Sequence, residues 1–107
     1  MKNNDFFWYT KGKSRMGVRV CDIEYFSCNG HKITIQTTHG EIIYNGTLKE
    51  IQSLVDKNIF IQINKSDIVN VSYIYRFDKV HIVLINGKNL PFTKHFKEIF
   101  YKKIFLE

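Results

Sequence analysis

Side chains that could perform catalysis are present in this sequence, but they are not arranged in a recognisable active site. The acids are scattered and mostly lie beside turns or at solvent-facing positions: Asp22, Glu24, Glu41, Glu50, Asp56, Asp67 and Asp78. There is no glycine-rich phosphate loop, no nucleophilic serine elbow and no His-Glu-x-x-His pair. We therefore expect a protein that is not an enzyme and that uses no cofactor.

The two cysteines, Cys21 and Cys28, do not indicate a metal site or a disulfide. They are seven positions apart, which places them on opposite faces of one regular strand and argues against a disulfide between them. A bulge between them would weaken that argument. Without further cysteines or a His-x3–5-His pair, no metal site is expected. The longest aliphatic stretch, residues 82–85, is far shorter than the ~20 residues of a membrane span. We expect buried free thiols in a cytoplasmic protein.

The positive charges of the chain are concentrated towards its two ends. The net charge is +6. Residues 1–20 contain five bases and one acid, residues 21–60 three bases and five acids, and residues 61–107 eight bases and four acids. Two basic segments on either side of an acidic middle favour a protein that presents one positive surface to a polyanion.

Apolar and polar residues alternate along much of the chain, which is the period of a β-strand. The alternating rows cover residues 18–20, 23–25, 33–35, 59–63, 69–75 and 80–84. The alternation changes parity at Cys21-Asp22, which predicts a bulge or a tight turn there. Hairpin turns are predicted at Asn29-Gly30, Asn45-Gly46 and Asn86-Gly87. Together these patterns predict a mainly antiparallel β domain.

Two helices are predicted to interrupt the strands. Thr47-Leu48-Lys49-Glu50 is a capping box, which predicts a helix from there to about Asp56. A second helix is predicted over about residues 93–105, with Thr93 as its cap. The apolar face of this helix is predicted to contain Phe96, Ile99, Phe100 and Ile104. The opposite, basic face is predicted to contain Lys94, Lys97 and Lys102. Residues 1–10 are predicted as an N-terminal extension of a domain at 11–107, with aromatic residues 6–9 packing on the sheet or meeting a partner.

Four segments carry a resemblance to a known family. Residues 60–74, FIQINKSDIVNVSYI, are similar to a pattern of the form Phe-x-Arg-x-His-Arg-Ser-Tyr-Ile-Val-Asn. Residues 83–94, VLINGKNLPFTK, resemble a strand, an Asn-Gly turn and then Leu-Pro-x-Ser-Arg. Residues 20–26 and 46–51 resemble a preceding strand and helix start in the same order. Over about residues 11–106, the sequence resembles the LytTR family of bacterial DNA-binding domains.

The resemblance implies a fold and a set of partners. The fold would be an elongated stack of short antiparallel sheets with one short helix and a C-terminal helix. Loops would enter successive major grooves of double-stranded DNA, and monomers would bind in tandem, or as a weak dimer, on paired direct repeats. No receiver domain precedes the motifs, so the chain would be a stand-alone member or an excised fragment. RNA polymerase and an inhibitory membrane protein are the further partners that this resemblance suggests.

The resemblance also implies site residues. Candidates for contact with base edges are His31, Asn64, Lys65 and Lys94. Candidates for contact with phosphate are Ser66, Thr93, Lys97 and Lys102. A lysine can donate to guanine N7 or O6 or to phosphate, and an asparagine can pair with adenine. His31 shares the parity of Ile33 and Ile35, so a packed or capping histidine is the alternative there.

The sequence departs from the family pattern within the motif. Lys65 and Lys94 stand where the family often has arginine, and a lysine lacks the bidentate fork of arginine. Asn64 stands where the family often has histidine, and Asp67 replaces an aromatic residue. An acid at position 67 would either face and repel phosphate, in which case Asp67→Asn would tighten non-specific binding, or accept a proton from cytosine N4.

Two other functions remain compatible with the sequence. One is a small β module that binds a protein partner through residues 6–9. The other is a barrel that binds single-stranded nucleic acid, which would need aromatic side chains exposed on a sheet face. Because Tyr25, Tyr73 and Tyr75 share the parity of apolar core positions, the sequence argues against the barrel.

Overall fold

The computed structural model describes residues 5–105, which form ten strands and two helices. The strands are β1 Phe6–Lys11, β2 Ser14–Arg19, β3 Ile23–Asn29, β4 Lys32–Thr37, β5 Gly40–Asn45, β6 Phe60–Gln62, β7 Asp67–Asn70, β8 Ile74–Phe77, β9 His81–Leu84 and β10 Asn89–Pro91. The helices are α1 Leu48–Leu54 and α2 Lys94–Phe105. Single 3-10 turns at Val20–Asp22 and Val71–Tyr73 interrupt the strand pattern.

The strands form three antiparallel sheets that stack on one another. The central sheet has five strands in the order β5-β4-β3-β7-β6. On one face lie the N-terminal hairpin β1-β2 and α1, and the side chains between these layers form a first core. On the other face lie the three-stranded sheet β10-β9-β8 and α2, which enclose a second core. The resulting molecule measures 42 × 31 × 24 Å, so the predicted mainly β, elongated stack of short sheets is confirmed.

Because both faces of the central sheet are covered, its inner strands do not alternate between buried and exposed. Phe26, Phe60 and Ile68 point into the first core, while Tyr25 and Val69 point into the second. All four residues of β7 are buried. Burial of successive residues is expected in a strand that is covered on both faces, whereas a half-exposed strand alternates.

Three local predictions differ from the structure or are refined by it. The parity change at Cys21-Asp22 is a 3-10 turn, which confirms the tight turn predicted there. The predicted alternating row at 69–75 is wrong, because the 3-10 turn at Val71–Tyr73 breaks it after Asn70, whose side chain accepts the Ser72 amide. The predicted hairpin at Asn45-Gly46 is wrong as well, since these residues connect β5 to α1.

The capping box of α1 is confirmed. The Glu50 amide donates to the Thr47 hydroxyl at 3.2 Å, and the Thr47 amide donates to the Glu50 carboxylate at 3.0 Å. These bonds satisfy two amides that the first helical turn would otherwise leave without partners. They matter here because α1 has only seven residues, of which Ile51 alone is buried.

We predict that Thr47→Ala lowers the free energy of unfolding by about 1 kcal/mol, because the helix loses its cap. The corresponding fall in Tm is about 4–8 °C for a domain of this size. Urea and thermal unfolding monitored by circular dichroism measure both quantities. Thr47→Ser keeps the hydroxyl and serves as the control. A Thr47→Ser variant as unstable as Thr47→Ala would show that the methyl group, and not the hydroxyl, stabilises this corner.

The segment predicted as an N-terminal extension contains strand β1, so from Phe6 onward it is part of the folded domain. Phe7 and Tyr9 are buried in the first core, and Trp8 is 47% exposed. The aromatic residues thus pack on the sheet, as one of the two interpretations of the sequence predicted. Residues 1–4 and 106–107 of the predicted ranges lie outside the described residues.

The cysteine prediction is correct in one respect and wrong in another. Both thiols are free. Cys21 is exposed and Cys28 is half-buried, so neither is a fully buried thiol. The 3-10 turn places Cys21 outside the strand that contains Cys28, which is why the argument from one regular strand did not apply.

Within residues 5–105, no group of three or more His, Cys, Asp or Glu side chains is arranged to hold a metal ion. Over the same residues, neither helix is long and apolar enough to cross a membrane.

Candidate nucleic-acid interface

Three connecting segments meet at one end of the central sheet. They are the turn at residues 30–31 between β3 and β4, the loop at 63–66 between β6 and β7, and the segment at 92–93 before α2. The Cys28 amide donates to the Ser66 carbonyl at 2.9 Å, and the Thr93 amide donates to the Ile63 carbonyl at 3.2 Å. We call these three segments, with Lys94, the loop end of the domain.

The turn at 30–31 presents a histidine to solvent. Gly30 has φ +66°, a conformation that glycine adopts without steric cost and that allows a two-residue connection. The carbonyl of His31 accepts the Gly46 amide at 2.8 Å, which fixes the backbone while the side chain stays exposed. Of the two interpretations of His31, the packed histidine is therefore wrong, and the imidazole is free to meet a ligand.

Asn64 is the structural centre of the loop at 63–66. Its side-chain amide group donates to the Asp67 carboxylate at 2.8 Å and to the Pro91 carbonyl at 2.7 Å. Its side-chain oxygen accepts the amides of Ser66 at 2.7 Å and Asp67 at 3.0 Å. An asparagine side chain has two donor hydrogens and two acceptor positions, so all four are used inside the protein. At 5% exposure, Asn64 does not present its amide to a base in this structure.

The two departures from the family pattern at positions 64 and 67 contact each other. Asp67 is 6% exposed, and its carboxylate accepts the hydrogen bond from Asn64. Burial, followed by the negative charge of nearby Asp67, raises the pKa of Tyr25 above its ordinary value of 10.0. The interpretation that Asp67 faces phosphate or a cytosine is wrong, because the carboxylate lies beneath the loop and serves as an internal acceptor.

Lys65 and Ser66 form the outer part of the loop. Lys65 is exposed and directly follows buried Asn64. Ser66 is half-buried, and its amide is engaged by Asn64 while its carbonyl is engaged by Cys28. The serine hydroxyl is thus the group of Ser66 that could meet an external acceptor.

The start of α2 adds two further candidates. Thr93 and Lys94 are both exposed. The Phe96 amide donates to the Thr93 carbonyl at 3.1 Å, which begins the helix at the predicted position. The link from Thr93 to Ile63 places this helix start beside the loop that carries Lys65. Two cationic side chains thereby extend from neighbouring segments of the loop end.

The faces of α2 differ from the predicted ones. Phe100 is fully buried against Phe77 and Phe92, but Ile99 is 50% exposed. Lys97 is half-buried, with its ammonium 5.8 Å from the centre of the Phe92 ring, so it does not lie on a purely outer face. Lys102 is exposed two turns after the helix start. The prediction is wrong at Ile99, at Ile104, which is 37% exposed, and at Lys97, because the second core lies towards the side of the helix marked by Phe100.

Comparison with known proteins identifies the family. The sequence profile of the LytTr DNA-binding domain matches residues 13–104, which is most of the chain. The chain belongs to the LytTR family of DNA-binding domains. No curated protein matches it significantly in sequence. The LytTR domain described here is accordingly a DNA-binding regulatory domain, of a family that is not an enzyme family.

A solved structure supports the fold of this LytTR domain. It is the LytTr DNA-binding domain of a protein described as a methyl-accepting/DNA response regulator from Bacillus cereus. The two chains share 18% identity, with a TM-score of 0.78 over 96% of this chain and 99% of the other. At this identity the similarity shows the shared fold. The predicted family boundaries, about 11–106, agree with the matched range.

Gln62 supports the loop of this LytTR domain, and the sequence pattern did not predict that role. The Gln62 side chain donates to the Asn64 carbonyl at 2.9 Å and accepts a hydrogen bond from Gln52 of α1 at 2.8 Å. Gln62 stands at the arginine position of the family pattern, and this departure could have drawn attention to it. The structure also places Tyr75 at 70% exposure, although its parity predicted a core position, because β8 has an irregular register there.

Proposed function

We propose that this LytTR domain is a sequence-specific transcription regulator that reads the major groove of duplex DNA through its loop end. The observation that supports this most strongly is the convergence of three segments that carry exposed His31, Lys65 and Lys94. Hydrogen bonds between the segments set the spacing of these side chains before DNA arrives. A binding surface that is already ordered loses less conformational freedom on association.

The exposed residues of the loop end have distinct roles in this proposal. Lys65, Lys94 and His31 donate to acceptors on base edges in the major groove, where guanine offers N7 and O6. The hydroxyls of Ser66 and Thr93, and the ammonium of Lys102, contact phosphate oxygens. Lys97 contributes to phosphate binding less than Lys102, because its ammonium is held over Phe92.

Asn64 has a positioning role in the same proposal. Its side chain connects the loop at 63–66 to the Pro91 carbonyl, which immediately precedes the segment that leads into α2. It therefore fixes the distance between the Lys65 and Lys94 backbones without touching a base. Asp67 supports this role by accepting one of the two hydrogen bonds that the Asn64 amide group donates.

We further propose that two copies bind in tandem to paired direct repeats. A tandem arrangement places the same surface of each copy against each repeat, with half-sites about one helical turn, or a multiple of it, apart. Mobility shifts on duplexes with one or two repeats, and with altered spacing, test this arrangement. A single occupied site on every duplex would contradict it.

Binding to duplex DNA should weaken steeply as salt concentration rises. If the domain neutralises about five phosphates, a plot of log K against log salt should have a slope of about −4 to −5. Fluorescence anisotropy on random duplex and on an operator selected from random duplex DNA measures this slope. Single-stranded DNA of the same sequence serves as the control. A slope near zero, or stronger binding to the single strand, would contradict the proposed function.

A further inference from the structure

The N-terminal hairpin crosses the strands of the central sheet instead of running along them. Along β1, Phe7 packs on Phe26 of β3 with ring centres 4.9 Å apart, and Tyr9 packs on Tyr44 of β5, also at 4.9 Å. At the end of β1, the Lys11 ammonium donates to a backbone carbonyl of β5 at 3.2 Å. Because β5 is an edge strand of the central sheet, the turn of the hairpin lies at that edge.

The turn of the hairpin is strongly basic. Lys11, Lys13 and Arg15 lie at or beside it, and all three are exposed. Within residues 5–105, the observed ion pairs involve other cations. The turn itself is held by Gly12 at φ +63°, which permits the two-residue connection between β1 and β2. The hairpin therefore presents several positive charges on an ordered scaffold.

This basic turn is continuous with the loop end. Arg15 and Asn45 line the same surface groove, of about 400 Å³, beside the first turn of α1. Asn45 is the partner of Lys32 in the ladder between β4 and β5, and Lys32 is also exposed. The next residue, Gly46, donates its amide to the carbonyl of His31. A path of neighbouring residues thus connects the hairpin to the turn at 30–31.

We infer that Lys13 and Arg15 contact backbone phosphates of duplex DNA that flanks the segment read by the loop end. The inference rests on the proposed function. Cationic side chains next to a turn that contacts base edges lie close to the neighbouring phosphates of the DNA. Contacts with phosphates position a protein on DNA without reading the sequence. Glu50, an acid in the same groove, has its carboxylate engaged by the Thr47 amide of the capping box. The hairpin extends the footprint of the domain beyond the loops.

The test compares two duplex lengths and two charge-matched variants. One duplex contains a selected operator alone, and the other adds about one helical turn, 10 base pairs, on each side. Lys13→Gln/Arg15→Gln removes two charges from the hairpin. Lys57→Gln/Lys88→Gln removes two charges from exposed positions outside both the hairpin and the loop end: Lys57 precedes β6, and Lys88 follows Asn86, which bonds to Glu24 near the start of β3.

We expect the wild-type protein to bind the longer duplex more tightly, and the hairpin variant to lose most of that gain. On the longer duplex, its salt slope should be smaller by about two units, while the control variant keeps the wild-type slope. If the hairpin variant and the control variant show the same affinities and salt slopes while the wild-type protein still binds, the inference about Lys13 and Arg15 is overturned but the proposed function is not. Failure of the wild-type protein to bind either duplex would overturn the proposed function and the inference together.

Discussion

Replacing Asn64 with alanine should lower the free energy of unfolding by about 3 kcal/mol and the Tm by more than about 10 °C. The substitution removes a side chain that makes four hydrogen bonds. It leaves the buried Asp67 carboxylate and the Pro91 carbonyl without that donor, and a buried polar group without a partner costs more than a hydrogen bond contributes. Urea unfolding with an unchanged m-value measures the effect.

A double-mutant cycle measures the energetic coupling between Asn64 and Asp67. Asn64→Ala, Asp67→Ala and the double variant should show a coupling of about 1–3 kcal/mol, because each side chain uses the other as a partner. The variant Asn64→His/Asp67→Tyr, which restores the family residues at both positions, should be more stable than either of its single substitutions. Strictly additive changes would show that the two departures from the family pattern are independent.

The same variants test the positioning role on DNA. At a temperature where Asn64→Ala remains folded, its affinity for the operator should fall, because the loop that carries Lys65 is no longer held to the segment before Lys94. Ser53→Ala, which removes an exposed hydroxyl that bonds within α1, serves as the control. If folded Asn64→Ala bound the operator with wild-type affinity, the positioning role of Asn64 would be contradicted. The prediction about stability would be unaffected.

The second large effect is expected at Lys65. Lys65→Ala should weaken operator binding by about 1–3 kcal/mol, or about 5- to 150-fold, and should relax the preference at one base-pair position. The physical reason is that an exposed ammonium at the outer part of the loop can reach a base edge, and its loss removes a contact that depends on the base. Affinity for the operator, for its single-base variants and for random duplex measures the effect.

Lys102→Ala is the matched control for Lys65→Ala. It also removes one exposed lysine, but from the outer surface of α2. It should weaken operator and random duplex equally and reduce the salt slope by about one unit if the ammonium contacts phosphate. Lys97 is less suitable as a control, since truncating it also removes its contact with Phe92. If Lys65→Ala lowers every affinity by the same factor, the reading of bases must be assigned to Lys94 or His31.

Two predictions about the motif, those for Asn64 and Asp67, differ from the structure for one shared reason, which is that both side chains are buried. Asn64 was predicted to touch a base, because an exposed loop asparagine is a good partner for adenine, yet its amide group bonds to Pro91, 27 residues further along the chain. Asp67 was expected to face the ligand, and it is buried beneath the same loop. Whether each of these two side chains is buried depends on how the three sheets stack, and no local pattern encodes it.

The sequence by itself determined the mainly β fold, the capping box at Thr47 and the family. Strand periodicity and a cap depend on residues two to four positions apart, so they can be recognised without knowing the path of the chain. The tertiary structure alone decided which polar residues of the motif face solvent, and it placed the basic hairpin against the edge strand β5. These features depend on burial and on contacts between distant segments, because a side chain is available to DNA only where packing leaves it uncovered.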